Sequence, residues 1–322
     1  MKEYVTLTPR EAAEILLTLK NPVVLMHARP DGDTVGSASA LIKILRKMGI
    51  TAEYASSDEI PQRLAFLLEG ERKASSLDGR ELVAIDVASP MQLGSLSRYA
   101  DDVLLTIDHH RVNTPFSDNF TVPDAASASE SLFLVLKELI KMRKCTLDSE
   151  IAYPMYAAIS SDTGGFVFSS SSPATYRLAA DLIETGIDFA DINHRLFFSK
   201  SKQQIAAEGF ISSKLLTEAD GKISYATLSK AERDDIGISS EYFETAIDIV
   251  RSVMFSEVAL FVRESDDGSI KASMRSTGLN VAEIAAKFSG GGHVRAAGCT
   301  LHAGSAEEGA KIIIDEVKKN MT

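Results

Sequence analysis

Only two cysteines, Cys145 and Cys299, occur among the 322 residues. With one in each half, a disulfide framework is excluded as the source of stability, and a reducing cytoplasm is the expected setting. No apolar run approaches the roughly 18 residues of a membrane span. The opening Met1-Lys2-Glu3-Tyr4-Val5 lacks the basic start and apolar core of a secretory signal, so no membrane partner is expected. Positive charge is scarce: 34 Lys and Arg face 45 Asp and Glu, a net charge of -11. Proteins that grip long nucleic acid show the opposite balance, which argues against a long duplex partner. A short phosphorylated ligand in a local basic pocket remains compatible. What is present, 45% hydrophobic and 25% charged residues, is a globular composition with enough chain for two ordinary domains.

Thr8-Pro9-Arg10-Glu11 has capping-box spacing with proline at the first helical position, which predicts a helix from Pro9 to about Lys20, stopped by Asn21-Pro22. The apolar run Pro22–His27 then leads through a glycine-bearing loop into a helix over Thr34–Met48. Further apolar runs at Thr51–Tyr54, Leu82–Asp86 and Val103–Ile107 are continuous rather than alternating, as in a parallel sheet covered on both faces. Ser129–Lys141 and Ile151–Ser160 read as helices, and Ser172-Pro173 as a helix start. Open sheets of this kind place ligands at the carboxyl ends of their strands.

After about Ile187 the character changes, and Phe189–Phe210 reads as a helical connector. Strand-like runs follow at Ile223–Leu228, Glu257–Val262 and Ser269–Met274, with Asp266-Asp267-Gly268 as a hairpin signal between the last two. Helices are predicted over Ser240–Val253, Asn280–Lys287 and Ala306–Lys319. The expected fold class is α/β: an N-terminal parallel sheet flanked by helices over 1–188, a helical connector over 189–217, and a smaller α+β domain over 218–322. The active site is expected in the cleft between the two domains.

Four fragments of the first half end or follow apolar runs in acids and histidines: His27-Ala-Arg-Pro-Asp31-Gly-Asp33, Val83-Ala-Ile-Asp86, Ile107-Asp108-His109-His110 and Ser161-Asp162-Thr163-Gly164. Singly each has a plain structural meaning: Asp-Gly-Asp as a turn, Asp86 as a strand cap, the paired histidines as packing. Together they gather oxygen and imidazole donors where strands give out, which is what a two-metal hydrolytic site needs. Ions about 3.5–4 Å apart can activate water and clamp an in-line displacement if a carboxylate bridges them, and Asp86 is the candidate bridge. His109 and Asp162 are candidates for the second ion's shell. The donor mixture favours Mn²⁺ over Ca²⁺, with Mg²⁺, Zn²⁺ and Fe²⁺ also compatible.

In the second half, Ser289-Gly290-Gly291-Gly292-His293-Val294-Arg295 joins glycines, whose amides can approach an anion closely, to donors suited to phosphate. Arg275 can join them; the alternative is a flexible loop before an edge strand. Arg111 and Asn113 can hold phosphate or shape the loop after the paired histidines. His194 and His302 belong to no constellation and read as structural or surface residues. Phe197-Phe198 reads as packing, with an aromatic platform for a base as its alternative.

His-x-x-x-Asp-x-Asp, Asp86, Asp108-His109-His110 and Asp162-Thr-Gly resemble the four motifs of the DHH phosphoesterase superfamily, and Gly290–Gly298 resembles its associated C-terminal substrate-binding domain. The resemblance spans nearly the whole chain in the right order. In size and two-domain form it most resembles the nanoRNase/pAp phosphatase (NrnA-like) group, which degrades very short oligonucleotides and removes the 3′-phosphate of 3′-phosphoadenosine 5′-phosphate (pAp). The resemblance implies two divalent ions, Mn²⁺ with Mg²⁺ as the alternative. His27, Asp31 and Asp86 would hold one; Asp33, Asp86, His109 and Asp162 the other. It implies that His110 contacts the scissile phosphate, Asp108 orients the loop, and Arg275, His293 and Arg295, with Gly291 and Gly292, bind substrate; a homodimer is also implied. Relatives often carry a basic residue and an Asn near Val167 and Ser170, and this chain has neither.

The expected function is hydrolysis of short oligonucleotides, of dinucleotides such as pGpG or pApA, and of pAp, by two-metal activation of water. The alternatives are a RecJ-like single-strand exonuclease, which would need more chain and a basic groove, and a nucleotide sensor without catalysis, which would have lost a metal ligand.

Overall fold

The computed structural model describes residues 4–321; residues 1–3 and 322, where the sequence domains begin and finish and where most of the Met1–Val5 stretch falls, lie outside the described residues. The chain divides into two compact units, 1–199 and 200–322. Residues 189–217, read from sequence as a connector, are shared between them. Among the described residues no helix is long and apolar enough to cross a membrane.

The first unit holds strands β1 (Pro22–Leu25), β2 (Glu53–Ala55), β3 (Glu81–Ile85), β4 (Val103–Asp108) and β5 (Asp118–Thr121), and helices α1 (Pro9–Thr18), α2 (Gly32–Lys47), α3 (Ala128–Lys141), α4 (Ser149–Asp162), α5 (Pro173–Ile183) and α6 (Phe189–Asn193). The strands form one parallel sheet in the order β2-β1-β3-β4-β5. Every residue of β1 is buried, which is why its apolar run is continuous rather than alternating. One face of the sheet is covered by α1 to α4, through residues such as Leu16, Leu41, Leu136 and Met155. The other face lies under Leu77, Leu93, Ala100 and Phe116, from the 3₁₀ segment Pro90–Asp102 and from loops rather than from α-helices. Pro22 sits at the first position of β1, the place in an interior strand that tolerates a missing N–H. The capping box at Thr8 and Glu11 is present.

This strand order has its switch between β1 and β3, because the chain leaves β1 toward one edge and returns past it to build the other. Such a switch opens a crevice at the carboxyl ends of the two strands. His27 stands two residues beyond the end of β1, and Asp86 follows β3 directly.

The second unit holds α7 (Lys202–Ser213), β6 (Leu216–Glu218), β7 (Ile223–Leu228), α8 (Lys230–Ile236), α9 (Ala246–Val250), β8 (Val258–Glu264), β9 (Ile270–Ser276), α10 (Val281–Ala286), β10 (Gly291–His293), β11 (Ala296–Leu301) and α11 (Ala306–Asn320). Its mixed sheet runs β10-β11-β9-β8-β7-β6, with β7 and β8 parallel and the other pairs antiparallel. Alternation along β8 sends Val258, Leu260 and Val262 into one core and Ala259 and Phe261 into the other. Asp266-Asp267-Gly268 makes the expected hairpin between β8 and β9.

Three expectations are corrected. Ser240–Val253 is not one helix but a 3₁₀ turn over Ser240–Phe243 followed by the five-residue α9. The glycine run is not a free loop, since Gly291 to His293 form a strand paired with β11. Helix α2 begins at Gly32 rather than Thr34, which places Asp33 inside its first turn.

Candidate metal centre

Asp31 is the N-cap of α2, and its Oδ1 accepts from the N–H groups of Asp33 (3.0 Å) and Thr34 (3.1 Å). Carboxylates are favoured there by the unpaired amides and the helix dipole. Asp33, 1% exposed, accepts from Ser37 Oγ at 2.9 Å and from the Ala128 N–H at 2.7 Å. Gly32 brings this helix start against the end of α4: a Cβ there would fall 2.1 Å from Ser161 Oγ. The residue after Ser161 is Asp162, the last of α4. Two helix ends of opposite polarity thus bring Asp31, Asp33 and Asp162 into one region.

Asp86 follows β3 with a left-handed backbone, φ 59°, and is 3% exposed. Its Oδ2 lies 3.4 Å from His27 Nε2, and its Oδ1 lies 3.5 Å from His109 Nε2. His109 Nε2 is also 3.6 Å from Asp33 Oδ2 and 3.8 Å from Asp162 Oδ2. The other ring nitrogens are fixed by the backbone: His27 Nδ1 donates to Ala28 O (2.8 Å) and His109 Nδ1 to Ala125 O (3.1 Å). A histidine tethered through Nδ1 presents Nε2 as its donor to a metal. His110 differs, because its Nδ1 is held by Asp108 Oδ1 at 2.7 Å.

Ligand atoms of three groups lie within 4.8 Å of one another: His27, Asp31 and Asp86; Asp33, His109 and Asp162; Asp86, His109 and His110. Asp86 is common to two of them. Its Oδ1 is buried and makes no hydrogen bond among the described residues. Leaving a buried carboxylate oxygen unpaired is costly unless a cation serves it, and the donor set of carboxylates with imidazole suits a divalent metal.

The electrostatics say the same. Burial disfavours charge on His27, but Asp31 and Asp86 outweigh it and push its pKa up to about 11. His109 is also pushed up to about 11, against burial, by Asp86, Asp33 and Asp162. Burial and the neighbouring acids hold Asp33 well above the usual carboxylate range. Burial lifts Asp162 to about 7 although His109 opposes it. Asp86 goes the other way, its two imidazole partners overcoming burial and lowering it. A cluster that binds protons this avidly is a cluster short of positive charge.

In the second unit the cross-strand register aligns His293 with Ala296 and Ala296 with Arg275. Residues opposite one another share a face of the sheet, so a methyl group separates the two donors. Burial lowers the Arg275 pKa, Asp248 opposes this, and Arg251 adds to it; an anion would relieve that guanidinium. Gly292, at φ 140°, admits no Cβ, which would lie 2.4 Å from Ala296 O, whereas Gly291 faces open space. Arg295 is not in the His293–Arg275 row: its carbonyl accepts from Ser276 N–H, and its Nη1 lies 3.8 Å from where a Gly278 Cβ would be.

Arg111 forms an exposed ion pair with Asp124. His194 and His302 are exposed. Phe197 packs over Gly165 at 3.5 Å from its Cβ position, while Phe198 is 73% exposed. Sequence reasoning missed Ser37, Ala125 and Ala128, which position the ligands. Two of the three act through their backbone and leave no signal in residue type.

A parallel sheet with this acid and histidine cluster at its switch point, joined to a mixed-sheet unit, defines a class. Residues 21–159 match the N-terminal domain of the DHH family and residues 220–319 the DHHA1 domain; the chain belongs to the DHH phosphoesterases. The bifunctional oligoribonuclease and PAP phosphatase NrnA of Thermus thermophilus is 30% identical over 319 residues, covering 97% of this chain and 94% of that protein. The crystal structure of an exopolyphosphatase-related protein from Bacteroides fragilis has the same fold, with a TM-score of 0.86 and 22% identity over 99% of this chain and 98% of that one. RecJ of Thermus thermophilus, solved in complex with Mn²⁺, is a more distant likeness in fold: TM-score 0.57 and 14% identity, over 98% of this chain and 55% of that one.

Proposed function

We propose that this chain is a metal-dependent phosphohydrolase that degrades short 5′-phosphorylated oligonucleotides, including dinucleotides such as pGpG and pApA, to mononucleotides, and dephosphorylates pAp. The observation that carries the reading is Asp86: buried, shared by two ligand groups, and with an oxygen that makes no hydrogen bond among the described residues. The names of its relatives support the substrate class. In this reading His27, Asp31 and Asp86 hold one ion and Asp33, Asp86, His109 and Asp162 the second, most suitably Mn²⁺ or Mg²⁺. Such ions supply an activated water and neutralise phosphoryl charge.

The chain's own residues do the rest. Asp108 raises the His110 pKa, against burial, and holds Nδ1, so Nε2 is the nitrogen that donates to an oxygen of the scissile phosphate. Arg275, His293 and Arg295, with the amides of Gly291 and Gly292, bind the substrate's remaining phosphate and terminal nucleotide, and Arg111 assists once released from Asp124. The units divide the labour, metals in the first and substrate choice in the second. The protein works in the cytoplasm as a homodimer. The intact ligand set favours an enzyme over a sensor.

Asp86→Ala tests this. With Mn²⁺ and labelled pApA, turnover is expected to fall by at least about 10²-fold while the circular dichroism spectrum is kept. Near-normal turnover in that variant would overturn the assignment.

A further inference from the structure

Ser127-Ala-Ser-Glu130 has the spacing of a capping box at the start of α3. In that motif the serine hydroxyl accepts from the glutamate N–H, and the glutamate carboxylate accepts from the serine N–H. Three boxes are complete among the described residues, Thr8 with Glu11, Ser172 with Thr175 and Ser229 with Glu232. The one at Ser127 is not. The serine side chain makes no capping bond, and its Oγ is buried without a partner among the described residues. Glu130 reaches one residue further back, where its Oε2 accepts from the Ala126 N–H at 3.1 Å.

That amide belongs to the same peptide group as the Ala125 carbonyl, which accepts from His109 Nδ1 at 3.1 Å. A carboxylate on the N–H side of a peptide polarises its carbonyl, making it a stronger and better oriented acceptor. Two residues on, the Ala128 N–H holds Asp33 Oδ2. The Ala125 carbonyl and the Ala128 N–H therefore fasten two ligand side chains from different elements, and Glu130 fastens the Ala125–Ala126 peptide. The second oxygen of Glu130 is buried without a hydrogen bond among the described residues, a cost that a purely capping role does not explain.

We propose that Glu130 is a positioning residue for the metal centre: it acts on His109 through the Ala125–Ala126 peptide, setting the direction and donor strength of the imidazole. The inference rests on the metal-site reading of Proposed function and adds to it a residue outside the ligand set. Outer partners of metal-bound histidines are typically worth about 10–100-fold in affinity, and one peptide further out the lower end of that range is expected.

The test is Mn²⁺ affinity by calorimetry, alongside the Nδ1 resonance of His109 in the metal-free protein. Glu130→Ala is expected to weaken Mn²⁺ binding about tenfold. Glu130→Gln, which keeps an acceptor oxygen, is expected to recover most of that loss. Ser127→Ala, at the other position of the box, is expected to leave affinity unchanged. Wild-type affinity in Glu130→Ala overturns the proposal, and so does an equal loss in Ser127→Ala, which would mark a general effect of the helix start. If Glu130→Ala does not fold, the His109 resonance in Glu130→Gln decides: a shifted signal supports the proposal and an unmoved one overturns it. Failure of the wild-type protein to bind Mn²⁺ would overturn the metal reading itself, a different result from unchanged binding in the variant.

Discussion

Asp86 carries a backbone cost as well as a charge. Its left-handed φ of 59° is a conformation in which a non-glycine residue loses about 1–3 kcal/mol, and aspartate is among the few that tolerate it. Strain kept at a buried acid between two imidazoles belongs to the site rather than to the fold. The same cluster fixes a pH dependence. His27 and His109, both pushed up to about 11, hold protons at neutral pH, and Asp162, lifted to about 7, holds one below that. A metal needs these donors deprotonated, so each ion must expel protons on binding, and affinity must rise as pH rises. Calorimetry of Mn²⁺ binding in buffers of different ionisation enthalpy at pH 6 to 8 is expected to show proton release and a tighter Kd at the higher pH. Uptake of protons, or a Kd independent of pH, would mean that these histidines are not ligands.

Helices α2 and α4 are where an element decides the site. Gly36 in α2 leaves no room for a side chain, since a Cβ would lie 2.6 Å from Pro154 O and 2.9 Å from Ala158 Cβ in α4. Gly36→Ala has to push the helices apart, and a loss of about 1–3 kcal/mol in urea unfolding is expected, with weaker metal binding because Asp33 and Asp162 ride on these two helices. An unchanged unfolding midpoint would show that the contact is soft. The sequence made α2 legible through its apolar spacing but not its start, because Gly32 and Asp33 look like turn residues until a cap at Asp31 pulls them into the helix. Strand β5, Asp118-Asn-Phe-Thr, was illegible for a related reason. It has no apolar run, and only pairing with β4 makes it a strand. The triple glycine likewise reads as a loop, and it is a strand because β11 lies beside it.

At the scale of the whole molecule, each unit has its own cores, and each carries one part of the proposed chemistry. Arg275→Ala separates the parts. Loss of one charge-assisted contact, about 1.5–3 kcal/mol, is expected to raise KM for pApA by at least about tenfold while hydrolysis of bis(p-nitrophenyl) phosphate, which offers no terminal nucleotide, stays near wild type. An equal loss on both substrates would place Arg275 in the structure of the unit rather than in recognition.

The sequence by itself determined which residues were candidates. Acids and histidines at the ends of buried apolar runs are visible because burial on both faces removes alternation, and motif spacing is carried by the chain. The tertiary structure decided how they meet. The order β2-β1-β3-β4-β5 set His27 beside Asp86, the helix contact at Gly32 set Asp33 near Asp162, and peptide groups at Ala125 and Ala128 fixed His109 and Asp33. Those last partners are backbone atoms, the same for every residue type, and only folding distinguishes them.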